Sequence, residues 1–195
     1  MLNERKISTA AITIAVWLLL APIANADISG VLKMCVSCHG EDGIGTESDV
    51  PIIAGIPAVI QEDAIFAYMD ADRNCGSKPL MCNIVARLPE DQVVELAEHY
   101  AAMPYAPAGE SFDAALAENG KTIHDSRCAI CHGADDPGDG QSSILHGQRK
   151  DYLRFALQQY AAGERKQLPA MEKMTSTLSG DDIEALLNYY ASYRD

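Results

Sequence analysis

The run Cys35-Val36-Ser37-Cys38-His39 returns further along the chain as Cys128-Ala129-Ile130-Cys131-His132, and a glycine, Gly40 or Gly133, follows each copy. C-x-x-C-H is the attachment sequence of a c-type haem, because each chemical requirement falls on one residue. One turn of backbone presents two thiols to the two vinyl groups of a porphyrin, and the adjacent imidazole reaches the iron from one side. The competing reading is a pair of zinc or disulfide motifs that happen to precede histidine. Zinc needs four ligands, and each pentad offers three with no evident fourth nearby. Two covalently bound haem c groups are therefore expected, on Cys35 and Cys38 and on Cys128 and Cys131, with His39 and His132 as the proximal iron ligands.

Covalent haem attachment in bacteria is completed outside the cytoplasmic membrane, and the N-terminus agrees with export. Arg5 and Lys6 precede an apolar run from Ala10 to Ala21 that only Thr13 interrupts, and Ala24-Asn25-Ala26 ends it. This pattern predicts a signal peptide over residues 1–26, a periplasmic location and no membrane contact after cleavage; an uncleaved anchor is the alternative. The chain has 15 basic and 28 acidic residues, a net charge of -13. Losing Glu4, Arg5 and Lys6 makes it more acidic still. Such a balance argues against nucleic acid or anionic lipid and favours a protein partner with a basic docking face.

The order of features after each pentad is the same, which predicts an internal duplication. Pro51-Ile52-Ile53-Ala54-Gly55 answers to Ser143-Ile144-Leu145-His146-Gly147, and Ala64, Ile65 and Tyr68 answer to Ala156, Leu157 and Tyr160 at an offset of 92. A methionine-containing loop follows in both copies. Val93, Leu96, Ala97 and Tyr100 then fall at helical spacing, and Ile183, Leu186, Leu187 and Tyr190 repeat them at an offset of 90. Ser179 and Asp182 form a capping-box pattern before the second of these helices. Met103 to Gly109, with Pro104 and Pro107, reads as a short linker. The expected organisation is a first domain over 27–104 and a second over 105–195, in contact with each other. Each half is mostly helical and small enough to need the haem as part of its core. Only Asp27 to Met34 precede Cys35, so the first domain should have the shorter leading helix.

The far side of each iron needs a second ligand if the protein moves electrons, and methionine there raises the potential relative to a second histidine. Met81 lies seven residues before Leu88, and Met171 lies seven before Leu178. These are the expected distal ligands, with Met174 a rival to Met171. His99, His124 and His146 have no counterpart in the other copy. The loop at Pro51, and that at Ser143, should give a backbone carbonyl to the proximal imidazole. Cys75 and Cys82 bracket Met81: a disulfide is the simpler reading in an oxidising compartment, and a thiolate ligand to iron or another metal the sharper one.

With these features placed, the chain resembles the two-haem periplasmic cytochromes, which include the cytochrome c4-type carriers and the cytochrome subunit of flavocytochrome c sulfide dehydrogenase. The second likeness rests on the stretch from Tyr105 through Phe112 and Leu116 to His124, Asp125 and Cys128, and on Met171-Glu172-Lys173-Met174. The resemblance implies a mainly α fold of two tandem class I cytochrome c domains. It implies the axial pairs His39/Met81 and His132/Met171, and a flavoprotein partner that carries FAD and oxidises sulfide. The chain itself would then be an electron-transfer subunit with no catalytic residue, delivering to a small cytochrome or an oxidase. A free c4-type carrier to a terminal oxidase fits the same haem arrangement. A thiosulfate dehydrogenase is a third reading, and requires Cys75 or Cys82 to displace Met81.

Overall fold

The computed structural model describes residues 26–76, 79–133, 142–166 and 168–194. The signal peptide read over 1–26 lies outside them except for Ala26. Among the described residues the secondary structure is helical with no strand, and no helix is long and apolar enough to cross a membrane.

In the first half, α1 (Ser29–His39) carries the first pentad, α2 (Ala58–Met69) follows the Pro51 loop, α3 (Pro79–Val85) carries Met81, and α4 (Glu90–Ala101) is the terminal helix. The second half runs α5 (Ala114–Arg127), α6 (Ala129–His132), α7 (Lys150–Ala161), α8 (Pro169–Thr175) and α9 (Gly180–Ala191). Every residue of the two predicted apolar stripes is buried: Val93, Leu96, Ala97 and Tyr100 on α4, and Ile183, Leu186, Leu187 and Tyr190 on α9. Val31, Val85 and Leu88 complete the first core, and Leu153, Leu157 and Tyr189 the second.

Where the chain enters and leaves these helices, the sequence supplies the caps. The Asp113 carboxylate accepts from Ala115 N at 2.8 Å and Leu116 N at 3.0 Å, which starts α5. Ser179 and Asp182 close a reciprocal capping box on α9. The methionine segments differ from the expected loops. Each is a short helix with proline in its first position, Pro79 or Pro169, and methionine in its third. Proline is preorganised for a helix start and loses no bond there, but seven residues are too few to show a period.

The leading helices are unequal, as the sequence suggests. Helix α5 crosses α9 so closely that a Cβ on Gly120 would sit 2.1 Å from the Ala185 carbonyl oxygen. Helix α1 starts at Ser29, too late in the chain to reach the equivalent crossing on α4.

The halves meet along a polar seam. Gln148, buried, accepts from Ile52 N at 2.8 Å and donates to Ile52 O at 2.9 Å. Arg149 reaches the carbonyls of Ile44 and Gly45, Ser48 donates to Asp151, and Lys166 N donates to Asp72 O at 2.9 Å. The linker lies against both halves. Tyr105 packs on Gly55 and donates its hydroxyl to His146 O, while Ala108 N donates to Gly147 O at 2.8 Å.

Candidate haem sites

Cys35, Cys38 and His39 occupy the last turns of α1; Cys128 stands at the break between α5 and α6, and Cys131 and His132 end α6. All four pentad cysteines are free thiols in the chain as folded. The glycine after each histidine ends its helix at positive φ, 76° at Gly40 and 72° at Gly133, and donates back to Val36 O or Ala129 O. A residue with a Cβ would be strained in that conformation, so glycine is what turns the chain away and leaves the imidazole facing the pocket.

The histidines are held alike. Nδ1 of His39 lies 3.1 Å from Pro51 O, and Nδ1 of His132 lies 3.1 Å from Ser143 O. A carbonyl can only accept, so Nδ1 carries the proton in both rings and Nε2 keeps its lone pair for a metal. Burial lowers the His39 pKa, opposed in part by the Pro51 bond, and the ring is accordingly neutral.

Met81 is partly buried and packs against the first core, as do Cys35, Tyr68 and Met69, and Met171 packs against the second, as do Cys128 and Leu178. Met174 is 40% exposed on the outer side of α8. Its counterpart in the first half is Ile84. Cys75 and Cys82 are joined as a disulfide that fastens α3 to the segment before it, so neither sulfur is a thiolate. Burial pushes the Cys35 and Cys128 thiols up, and the hydroxyls of Tyr100 and Tyr190 stand beside them.

The unmatched histidines have structural posts. His124 is fully buried; its Nε2 donates to Gly133 O at 2.6 Å, and its Nδ1 accepts from the Tyr190 hydroxyl at 3.0 Å. Both nitrogens are spent, which removes it as a ligand. His146 lies among the rings of His124, Tyr189, Tyr190 and Tyr193. His99 lies edge-on to Tyr100.

Among the described residues no three His, Cys, Asp or Glu side chains converge to hold a bare ion. Unbonded thiol pairs, imidazoles with Nε2 left open and a methionine packed on the core of each half fit haem. Reading the sequence missed three features. They are the Gln148 clip, the bonded state of His124, and a pair of buried arginines, Arg73 and Arg165, whose offset of 92 is that of the flanking helices.

Comparison with known proteins agrees with this geometry. The family model described as cytochrome c oxidase, cbb3-type, subunit III matches residues 115–189. Cytochrome c-554(548) of Halomonas halodenitrificans is 35% identical over 66 residues, covering 34% of this chain and 80% of that protein. A thiosulfate dehydrogenase electron acceptor of Thiomonas intermedia is 26% identical over 173 residues, covering 83% of this chain and 77% of that one. Among solved structures, cytochrome c4 of Acidithiobacillus ferrooxidans aligns with a TM-score of 0.75 at 25% identity, over 83% of this chain and 99% of its own. Fold and pentads together define a mainly α protein of two tandem haem-binding domains. The chain belongs to the cytochrome c family, and its fold is similar to that of the two-haem c4 type.

Proposed function

We propose that the protein is a periplasmic two-haem electron carrier that takes electrons singly from a sulfur-oxidising dehydrogenase and passes them to a small cytochrome or an oxidase. The observation that carries this reading is the equivalence of the two sites. Each half offers an imidazole fixed through Nδ1 by a loop carbonyl, and a methionine on a short proline-started helix. In this reading 27–104 and 105–195 are the two domains, Ala26 is the last residue of the leader, and the axial pairs are His39/Met81 and His132/Met171.

Bound haem supplies one-electron iron chemistry; the chain decides how it is used. Cys35, Cys38, Cys128 and Cys131 would hold it covalently. The Pro51 and Ser143 carbonyls orient the proximal rings. Met81 and Met171 would be the second protein ligands, and methionine there would favour the reduced state relative to a second histidine. The disulfide anchors the Met81 helix and speaks against a thiolate-ligated, catalytic haem. Core packing of Met171, against exposure of Met174, supports Met171 as ligand.

Two donors are consistent with the chain. The stretches around Tyr105 to Cys128 and Met171 to Met174 resemble the partner of an FAD-bearing sulfide dehydrogenase. The relative from Thiomonas intermedia favours a thiosulfate dehydrogenase instead. Stopped-flow mixing of the oxidised holoprotein with each enzyme and its substrate tests the reading: reduction of both haems by one of the two is expected. Reduction by neither, or a thiolate-type spin-resonance signal, overturns it.

A further inference from the structure

The Cys75–Cys82 bridge joins a segment fixed by the seam to a helix that little else holds. Around Cys75 the contacts come from the second half. Asn74 donates from Nδ2 to Gln159 Oε1 on α7, the Gly76 N–H donates to Asn74 Oδ1 at 3.0 Å, and a Cβ on Gly76 would stand 2.7 Å from the Phe155 ring. Lys166 N, also from the second half, donates to the carbonyl of Asp72 at 2.9 Å. Cys75 is therefore held from both sides. Cys82 belongs to α3 and directly follows Met81. Of the seven residues of that helix Val85 is buried, while Pro79, Leu80 and Asn83 are exposed.

The second half fastens its methionine helix in another way. Arg127, the residue before Cys128, donates from Nη1 to Thr177 Oγ1 at 2.9 Å and so ties the turn after α8 to the end of α5. Met34 takes the place of Arg127 before Cys35, and Arg87 takes the place of Thr177 before Leu88. Methionine has no donor for that tie. A groove of about 570 Å³ lies there instead, lined by Val31 and Met34 of α1, Leu80 and Ile84 of α3, and Leu88. Helix α3 thus has open space along its outer side, and a covalent bond where α8 has a polar one.

Small nucleophiles can reach that bond, since both its cysteines are partly exposed. The chain's other four cysteines are those of the pentads, so once these are thioethers no thiol of the chain competes for the bridge. Cysteines only seven residues apart close a short loop, and such a bridge adds modest stability. Its loss frees one helix without unfolding the half. We propose that Cys75–Cys82 is an exchange site for small sulfur nucleophiles, hydrosulfide or a low-molecular-weight thiolate, and that opening it withdraws Met81 from the first iron alone. One thiolate attacks a bridge sulfur, forms a mixed disulfide with it and expels the other cysteine as a thiolate. A second attacks the nucleophile's own sulfur in that mixed disulfide, which forms RSSR and expels the second cysteine. Two electrons pass to the bridge, two protons from water complete the thiols, and the nucleophile is the species oxidised. The inference rests on Met81 as axial ligand in the reading above. It gives the first site a potential that falls when such nucleophiles are abundant, because methionine ligation is what raises it. The second site keeps its own.

The test uses the two-haem holoprotein, incubated with sodium hydrosulfide in one arm and reduced glutathione in the other, then alkylated and re-oxidised with ferricyanide. Peptide mass should show alkyl groups on Cys75 and Cys82. The near-infrared band of methionine-ligated ferric haem should fall by about half, because one of two sites loses its methionine, and one midpoint potential should fall with it. Alkylation in a single arm supports the proposal and names the nucleophile. Untouched cysteines in both arms overturn it, as does full alkylation with the whole band retained or with the band lost from both sites. The double variant Cys75→Ser, Cys82→Ser should show the halved band before treatment and no change after it. Where that variant fails to mature, the treated wild-type protein decides. An untreated wild-type protein with no methionine band defeats the axial reading, whereas a band that survives opening of the bridge defeats this proposal alone.

Discussion

His124 and Val31 stand at equivalent places before the two pentads, and the difference between them sets the second site apart from the first. In the second half the Tyr190 hydroxyl donates to His124, and His124 donates to the carbonyl of Gly133, the residue after His132, the proposed iron ligand. Helix α9 thus grips the end of the pentad through one imidazole. In the first half valine offers nothing, and the buried Tyr100 hydroxyl has the Cys35 thiol beside it in place of an imidazole. His124→Val leaves a buried hydroxyl and a carbonyl unsatisfied, and should cost about 1–3 kcal/mol. Denaturant unfolding of the oxidised holoprotein measures it; an unchanged midpoint means the imidazole only fills space. The same imidazole shows where reading residues in sequence stops. Its place before Cys128 was plain, but its partners come from 9 and 66 residues away, and no local pattern announces them.

At the scale of elements, the terminal helices were legible because their apolar stripes repeat over twelve residues, and the pentads because their chemistry is wholly local. The methionine helices were not, since about two turns show no period; proline at the first position of both was the available signal. Helix α3 has a further tether that α8 lacks. The Cys75–Cys82 bridge spans seven residues and includes the neighbour of Met81. Replacing both cysteines by serine should cost about 2 kcal/mol on the loop-entropy account. It should also weaken the near-infrared band of a methionine-ligated ferric haem in the first half only. Equal loss from both haems, or from neither, would show that the bridge does not hold Met81. Helix crossing supplies a second contrast. Gly120→Ala drives a methyl into the Ala185 carbonyl and should destabilise the second half by about 3 kcal/mol, the upper range for overpacking. Gly30→Ala, with nothing within 4 Å of the new methyl, should be neutral or slightly stabilising. Thermal unfolding of the two holoproteins side by side reads the difference.

For the molecule as a whole, the seam decides whether two haem domains act as one carrier, and part of it is a relay of charge. Ser48 of the first half donates to Asp151, Asp151 pairs with Arg154, and Arg154 pairs with Glu184 on α9. The Ser48 hydroxyl is the chief cause of a lowered Asp151 pKa, with Arg154 adding to it, and Arg154 is the chief cause of a lowered Glu184 pKa. A carboxylate with a depressed folded pKa contributes stability that is complete above its ordinary value, here 3.8 and 4.5, and is lost as pH falls through the depressed one. This charge relay should therefore be insensitive to pH through the neutral range and be lost only in acid. Amide exchange at Tyr152 reports on it, because Tyr152 N donates to Ser48 O across the boundary at 3.3 Å. Ser48→Ala removes the hydroxyl and keeps that backbone bond, so it should move the loss of Tyr152 protection to higher pH, toward the ordinary carboxylate value. Protection lost at the same pH in both proteins would mean that Asp151 takes no part in closing the seam. Gln148 and the buried arginines would then be what keeps the halves together.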